Sequence, residues 1–200
     1  MGETKLYTVM FEGDAISTIV TSSGDAVKRW LDEVLYVHRR RLHKLVVGLD
    51  VEWRPAFGPW YNPTALLQLC VGRRCLVFQL LHADYVPDAL AEFLDDPRFR
   101  FVGVGVQDDA VRLNNDLHLA VSNTVDLAEL AAGEMGRPDL RSVGLKALAS
   151  VVMGATVDKP ERVRKGRWDA YELSDQQIKY ACIDAFVSFE VGRKLLSGDY

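Results

Sequence analysis

Short, strongly apolar runs constrain the fold of this 200-residue chain more than any other feature of its sequence. Residues 45–53 and 101–106 are apolar almost throughout, and each run is shorter than a typical helix. Runs of this kind are typical of strands in a sheet that carries helices on both faces. The sequence therefore predicts an α/β fold built around a sheet.

Turn and capping signals set the order of the elements. Strands are predicted at residues 7–10, 16–20, 45–53, 65–71, 75–80 and 101–106, with residues 124–127 as a short strand or the start of a helix. Helices are predicted around residues 27–35, at 89–94, from about Asp108, at 145–152, and from a Ser174–Gln177 capping box. Hairpins followed by alternating helices and strands indicate a mixed sheet of five to six strands flanked by helices.

The composition is that of one globular domain spanning residues 1–200. Hydrophobic residues make up 48% of the chain, and a chain of this size buries roughly 70% of its unfolded surface. Cys70, Cys75 and Cys182 lie in apolar stretches, which favours reduced, buried thiols over a Cys70–Cys75 bridge. No apolar run approaches the ~18 residues of a membrane span, and the N-terminus has no signal-peptide pattern. A soluble, intracellular protein is expected.

Two carboxylates lie at the end of the apolar run at residues 45–53. Asp50 and Glu52 are two positions apart, so on a strand their side chains point to the same face. Carboxylate oxygens at that spacing can hold a hard divalent cation. An isolated Asp-x-Glu is also typical of a strand face in contact with water, but such a strand would normally alternate earlier along its length.

Two further pairs of polar residues lie on predicted helices. Asp108 and Asp109 fall in a first helical turn, where acids also serve as caps and suit the helix dipole. Tyr180 and Asp184 are four residues apart, so their side chains share one helix face and can address one site. Taken alone, each pair is compatible with an ordinary helix surface.

Together these motifs resemble the DEDDy branch of the DnaQ-like (ribonuclease H-like) 3′→5′ exonucleases, and most closely the Werner syndrome-like exonucleases with their stand-alone plant relatives. The resemblance is carried, in the order and spacing of the family, by GLDVEWRP at 48–55, ALLQLC at 65–70, FVGVGVQDD at 101–109 and QIKYACIDAF at 177–186. It implies a ribonuclease H-like fold with a family core at 45–195, preceded by a hairpin and helix at 1–40.

The resemblance also implies a role for each motif residue. Asp50, Glu52 and Asp184 would bind a first Mg²⁺ or Mn²⁺ ion. Asp50 would bridge to a second ion that Asp109, rather than Asp108, supports. Tyr180 would orient the attacking water, because a phenol with a pKa near 10 is a poor base at neutral pH. The implied reaction is two-metal hydrolysis of a terminal phosphodiester with release of nucleoside monophosphates.

Aromatic and basic residues near the motifs are expected to contact the nucleic acid. Trp53 follows Glu52 within the first motif and would stack on a base, unless it belongs to the core. A basic run at 159–167 precedes the last helix, where the family places groups that meet phosphate; a solvated loop is the alternative. The residues predicted to bind substrate are Trp53, Arg164, Lys165, Arg167 and Trp168. The formal net charge of −4 does not favour a nucleic-acid partner.

The favoured function is therefore a 3′→5′ exonuclease acting on nucleic-acid 3′ ends, with DNA preferred over RNA. An RNase D-like exoribonuclease and a catalytically silent nucleic-acid-binding scaffold with the same fold are the alternatives. All five catalytic positions of the family are present, which favours an enzyme. No patch requires a homo-oligomer, no membrane contact is expected, and the family suggests the nucleus, with the cytoplasm as the alternative.

Overall fold

The computed structural model describes residues 1–200 and contains a seven-stranded sheet with helices on both faces. The strands are β1 (Thr4–Phe11), β2 (Asp14–Thr21), β3 (Val46–Glu52), β4 (Leu66–Val71), β5 (Arg74–Gln79), β6 (Arg100–Gly103) and β7 (Thr124–Asp126). The helices are α1 (Gly24–Val37), α2 (Asp88–Leu94), α3 (Val106–Leu117), α4 (Leu127–Glu134), α5 (Leu145–Leu148), α6 (Glu161–Arg164) and α7 (Asp175–Ser197). Short 3₁₀ turns cover Leu42–Lys44, Leu80–His82 and Pro138–Ser142, and a π-helical turn at Ala149–Met153 continues α5.

The strands are arranged in the order β1-β2-β5-β4-β3-β6-β7. Three neighbouring pairs are antiparallel (β1 with β2, β5 with β4, β4 with β3) and the other three are parallel. The predicted mixed α/β architecture is confirmed. The sheet has seven strands rather than five to six, because residues 124–126 pair with β6 as a strand before α4 begins at Leu127.

Each face of the sheet is covered by its own set of helices. Helices α1, α2 and α3 bury apolar side chains such as Trp30 and Phe93 against one face. Helices α4, α5 and α7 pack on the other face, where Phe186 and Trp168 are buried. The long helix α7 begins with the predicted capping box, in which the Ser174 hydroxyl accepts from the Gln177 N–H and the Gln177 amide oxygen accepts from the Ser174 N–H.

Helix α7 lies directly against β3 because the strand carries a glycine at the crossing point. A Cβ atom added to Gly48 would lie 2.2 Å from the Ala185 carbonyl oxygen and 2.7 Å from the Phe189 nitrogen. Only a residue without a side chain permits this approach. The contact fixes the height of Asp184 on α7 relative to Asp50 on β3.

The passage from β6 to α3 is tighter than the sequence predicts. The apolar run at 101–106 predicts a strand through Val106, but β6 ends at Gly103 and α3 starts at Val106. Gly105 adopts φ +67°, a left-handed conformation that favours glycine, and it precedes the first turn of the helix. Asp108 and Asp109 both lie in the first turn of α3, as predicted.

All three cysteines are free and buried, in agreement with the expected reduced thiols. None of the helices combines the length and the apolar character that a membrane crossing requires.

Candidate active site

Three carboxylates from two elements converge at the end of β3. Asp50 and Glu52 project from the strand towards α7, and Asp184 projects from α7 to meet them. Each of the three offers an oxygen atom that lies within 4.8 Å of the other two. Asp184 is almost fully buried, at 3% exposure, whereas Asp50 and Glu52 are half-buried.

The carboxylates line a cavity of about 550 Å³ that opens to the surface. Asp109 from α3 and Tyr180 from α7 line the same cavity, so the structure brings all five predicted catalytic residues together. Asp109 is not part of the tight three-carboxylate group, but its charge acts on both Asp50 and Glu52.

The structure separates Asp109 from its neighbour Asp108. Asp109 is buried on the inner side of the first turn of α3, whereas Asp108 is exposed and does not line the cavity. Adjacent helical residues point about 100° apart, so only one of two consecutive acids can face the site. The placement supports Asp109 as the acid of the second motif.

The pKa values of the four acids reflect this crowding. Burial, followed by the charges of Glu52, Asp184 and Asp109, holds the pKa of Asp50 well above its usual range. Burial and then the charge of Asp184 do the same to the pKa of Glu52, and burial also raises the pKa of Asp184. Burial and the charge of Asp108 raise the pKa of Asp109 to about 7. The four acids therefore resist ionising together without a compensating cation.

One cationic side chain lies among these carboxylates. The Lys159 ammonium is 3.1 Å from Asp184 Oδ1, although the pair does not have the geometry of a hydrogen bond, so this buried oxygen has no hydrogen-bond partner. The charge of Lys159 also opposes the upward shift of the Asp50 and Glu52 pKa values. Lys159 is the positive group nearest the centre of the site.

These residues fit a divalent metal ion. Mg²⁺ and Mn²⁺ prefer oxygen ligands, and the site offers three convergent carboxylates with no cysteine or histidine among them. The ion pair between the buried Asp184 oxygen and the Lys159 ammonium indicates that the cluster favours positive charge. Asp50, Glu52 and Asp184 are the residues that could hold an ion, and Asp109 lies close enough to take part electrostatically.

Tyr180 lies against Trp168 with its ring at the cavity wall. The two ring centroids are 5.6 Å apart, and the indole nitrogen of Trp168 donates to the Arg164 carbonyl oxygen at 2.9 Å. Burial, and then the charges of Asp184, Glu52 and Asp50, raise the pKa of the Tyr180 phenol. The phenol therefore stays protonated and can act as a hydrogen-bond donor.

The prediction that Trp168 contacts substrate is wrong, because its side chain is only 1% exposed. An aromatic side chain next to a basic run is typical of a surface on which bases stack. In the structure, however, the Trp168 ring is buried beneath the basic run at 159–167. Trp168 instead supports the Tyr180 ring and the end of α6.

Of the other predicted substrate-binding residues, three line the catalytic cavity and one does not. Trp53, Arg164 and Lys165 line the cavity, whereas Arg167 is exposed outside its lining. Ion pairs partly neutralise the basic residues, since Arg164 and Lys165 both pair with Glu161 and Arg167 pairs with Asp169.

Exposed aromatic side chains continue from the cavity into the loop after β3. Trp53 is 37% exposed, and the Arg112 guanidinium lies 3.9 Å above its ring. Phe57, Trp60 and Tyr61 are exposed in the following loop. Trp53 is therefore at the surface rather than in the core.

Three residues near the site were not singled out by the sequence. Lys159 was visible only as one member of a basic run, and Arg112 as an ordinary helical arginine. Gln68 on β4 is fully buried opposite Asp50 in the strand register, and neither of its amide atoms has a hydrogen-bond partner. The sequence did carry a signal for Gln68, because it is the polar residue within the apolar run at 65–71.

Comparison with known proteins places this chain in one family. A family model described as 3′-5′ exonuclease matches residues 23–197. The chain therefore belongs to the 3′-5′ exonuclease family, whose members are hydrolases of phosphodiester bonds. The predicted resemblance to the DnaQ-like exonucleases is confirmed.

Named relatives share the same description. A 3′-5′ exonuclease of Arabidopsis thaliana is 31% identical over 92% of this chain, and exonuclease 3′-5′ domain-containing protein 2 of Drosophila melanogaster is 33% identical over 88% of it. The bifunctional 3′-5′ exonuclease/ATP-dependent helicase WRN of Mus musculus is 28% identical over 75% of it. The chain spans 64%, 29% and 11% of the lengths of these three relatives, respectively.

Solved structures agree on the fold. The EXD2 exonuclease domain, in a crystal soaked in Mn and Mg, is 27% identical with a TM-score of 0.52 and covers 90% of this chain and 88% of its own. RNase D of Escherichia coli is 24% identical with a TM-score of 0.67, covering 84% of this chain and 43% of its own. The RNase D likeness is evidence for the ribonuclease H-like fold alone.

Proposed function

We propose that this protein is a divalent-metal-dependent 3′→5′ exonuclease that removes nucleoside monophosphates from the 3′ end of a nucleic acid. Residues 1–200 would form one exonuclease domain with its core at 45–195. Two Mg²⁺ or Mn²⁺ ions would be used, and a DNA strand is the favoured substrate. The nucleus is the expected location, on the basis of the family.

The convergence of Asp50, Glu52 and Asp184, with oxygens within 4.8 Å of one another, carries this proposal. One buried and two half-buried carboxylates at such distances are costly to maintain unless a cation binds between them. A scaffold protein without catalysis would have no need of this arrangement. The proposal is further supported by the Mn and Mg soak of the related EXD2 domain.

The side chains around the cluster suit hydrolysis at a strand end. Bound divalent ions would stabilise negative charge on the attacking and leaving oxygens and lower the pKa of a bound water. Tyr180, protonated at neutral pH, would donate a hydrogen bond that orients the water or the scissile phosphate. Water attack on phosphorus would break the bond to the 3′ oxygen, leaving a shortened strand with a 3′ hydroxyl and a released 5′ monophosphate.

The cavity rim provides groups for the terminal nucleotides. Arg164 and Lys165 line the cavity beside the acids and are placed to meet phosphate oxygens. Trp53 and the exposed aromatic residues of the following loop would stack on bases without reading their sequence. Such contacts suit an enzyme that must accept any terminal base.

A chelation assay on a 5′-labelled, 3′-recessed duplex tests the proposal. With Mg²⁺ or Mn²⁺ we expect a ladder of progressively shorter strands, and no ladder in EDTA. Asp50→Asn and Asp184→Asn should each abolish the ladder, and the double variant should be no worse than either single one, because the two groups act as a unit. A ladder that persists in EDTA would exclude metal-dependent hydrolysis.

A second candidate function is an RNase D-like exoribonuclease. Escherichia coli RNase D, an exoribonuclease, shares only the fold with this chain, and the family resemblance of the sequence leaves an RNA substrate open. Matched DNA and RNA strands of one sequence, digested in parallel, separate the candidates, because they differ only in the 2′ hydroxyl and the thymine methyl groups. Faster digestion of DNA is expected, whereas digestion of RNA alone would favour the second candidate.

A further inference from the structure

A second cavity, of about 510 Å³, lies at the opposite end of β3 and α7 from the carboxylates. Five of its lining side chains are basic, namely His38, Arg41, Lys44, Arg100 and Arg193. They come from well-separated parts of the sequence, and the rest of the lining is mainly apolar, including Val46 and Phe189. We refer to the five basic residues together as the distal basic site.

Most charges of the distal basic site have no acidic partner. No carboxylate oxygen lies within 4.0 Å of the charged nitrogens of Arg41, Lys44 or Arg100, all three of which are exposed. Arg193 forms ion pairs with Glu190, at 2.6 Å, and with Asp199, at 3.7 Å. Burial, and then the charges of Arg41 and Arg74, lower the pKa of His38, in keeping with a locally positive potential.

The basic run beside the active site is different in this respect. Lys159 pairs with Asp184, Arg164 and Lys165 pair with Glu161, and Arg167 pairs with Asp169. Every cation of that run except Arg162 therefore has a carboxylate partner within the protein. In a chain of formal net charge −4, the distal basic site is where unpaired cations collect around a cavity.

We propose that the distal basic site binds backbone phosphates of the nucleic-acid substrate, away from the end that is cleaved. This inference rests on the proposed function. Clustered, exposed arginine and lysine side chains without acidic partners can neutralise phosphates and displace the counterions condensed on the nucleic acid. The release of these counterions is the main source of sequence-independent affinity. Arginine also matches phosphate geometry with two parallel N–H groups.

The position of the site sets a length requirement. Val46 lines the distal cavity and Glu52 lines the catalytic cavity, and the six strand steps between them span roughly 20 Å. At about 3.4 Å per nucleotide, a helically stacked strand needs about six nucleotides beyond its 3′ end to reach both cavities. Shorter substrates should not depend on the distal basic site.

A charge-matched pair of triple variants tests this inference. The test variant carries Arg41→Ala, Lys44→Ala and Arg100→Ala. The control carries Lys28→Ala, Arg29→Ala and Lys146→Ala, which are exposed, have no carboxylate within 4.0 Å and lie outside both cavities. Each triple removes three positive charges, so a general effect of net charge would appear equally in both.

Binding of a fluorescein-labelled 20-nucleotide single strand is measured by anisotropy in EDTA at several salt concentrations. We expect the test variant to bind at least about tenfold more weakly than the control. The slope of log K against log salt should become shallower by about 2, because roughly 0.7 ions are released per phosphate contact on a single strand. Equal affinities and slopes in the two variants would overturn the inference.

Hydrolysis assays separate this inference from the proposed function. With Mn²⁺, both triple variants should hydrolyse a trinucleotide at the wild-type rate, while kcat/KM for the 20-nucleotide strand falls only in the test variant. If no variant hydrolyses either substrate, the proposed function fails while the EDTA binding data still decide on the distal site. The inference would also be overturned if millimolar adenosine monophosphate bound to the wild type while the test variant bound the 20-nucleotide strand as tightly as the control. That result would indicate a site for small nucleotides.

Discussion

The carboxylates at the end of β3 are the residues whose energetics depend most on what they bind. Two ionised carboxylates about 4 Å apart repel each other by roughly 4 kcal/mol at an effective dielectric constant near 20. The structure holds three such groups within 4.8 Å, with Asp109 nearby, and Lys159, followed by Arg164, offsets their charge. A metal ion bound among them would turn this repulsion into a source of affinity.

Substitution of the two adjacent acids of α3 tests the assignment of the second motif. Asp109→Asn should lower kcat about 10- to 100-fold, because Asp109 faces the cavity and supports the metal-binding group. Asp108→Asn, the matched control, should change kcat less than about threefold, since its side chain is exposed. Steady-state hydrolysis of a labelled strand in Mg²⁺ compares the two. A larger effect at Asp108 would reverse the assignment.

Gln68 provides a second residue-scale prediction, with effects of opposite sign on stability and metal binding. Its buried, unpaired amide should stabilise ionised Asp50 once metal is bound, but it costs about 1–3 kcal/mol when left unsatisfied. Gln68→Leu should therefore raise the Tm of the metal-free protein and weaken Mn²⁺ binding about tenfold. Differential scanning calorimetry and titration calorimetry measure the two effects. Unchanged Mn²⁺ affinity would show that Gln68 only fills space.

At the scale of elements, α7 and β3 together build the site, and much of this could be predicted. The apolar run at 45–53, the spacing of Asp50 and Glu52, and the capping box of α7 all depend on local periodicity, which a sequence displays directly. The inward position of Lys159 and the burial of Trp168 depend on how a loop of irregular structure folds back onto α7. Such long-range packing leaves no periodic signal, and so these two placements could not be predicted.

The close approach of α7 to β3 at Gly48 yields an element-scale prediction. Gly48→Ala should push α7 away from the strand, lower stability by about 1–3 kcal/mol and weaken Mn²⁺ binding, because Asp184 moves away from Asp50. Gly133→Ala on α4 is the control, since an added Cβ there meets no atom within 4 Å and should leave the protein as stable or slightly more stable. Urea unfolding with and without Mn²⁺ measures both effects. Wild-type behaviour of Gly48→Ala would refute this role of the glycine.

For the whole molecule, the raised pKa values link folding stability to pH and to metal. Asp109 has a pKa of about 7 in the folded protein against an ordinary value of 3.8, so the folded chain retains a proton that the unfolded chain has lost. The stabilisation of the fold by protonated Asp109, which is complete below about pH 4, is therefore lost as the pH rises towards 7. Asp50, Glu52 and Asp184 shift in the same direction.

We accordingly expect the Tm in EDTA to fall as the pH is raised from 5 to 8, and the fall to be abolished or reversed by millimolar Mn²⁺. Metal binding requires deprotonated ligands and so gains strength over the same range. The double variant Asp50→Asn, Asp184→Asn should show a flatter profile and little response to Mn²⁺. A Tm in EDTA that rises over this range would contradict the direction of the pKa shifts.

The site as a metal centre is tested most directly by anomalous diffraction from a crystal soaked in Mn²⁺. The expected map has a peak bound by oxygens of Asp50, Glu52 and Asp184 and a second peak on the side of Asp109, with the Lys159 ammonium moved away from Asp184. A map without a peak at the three carboxylates, with Lys159 still paired to Asp184, would contradict a metal-dependent site.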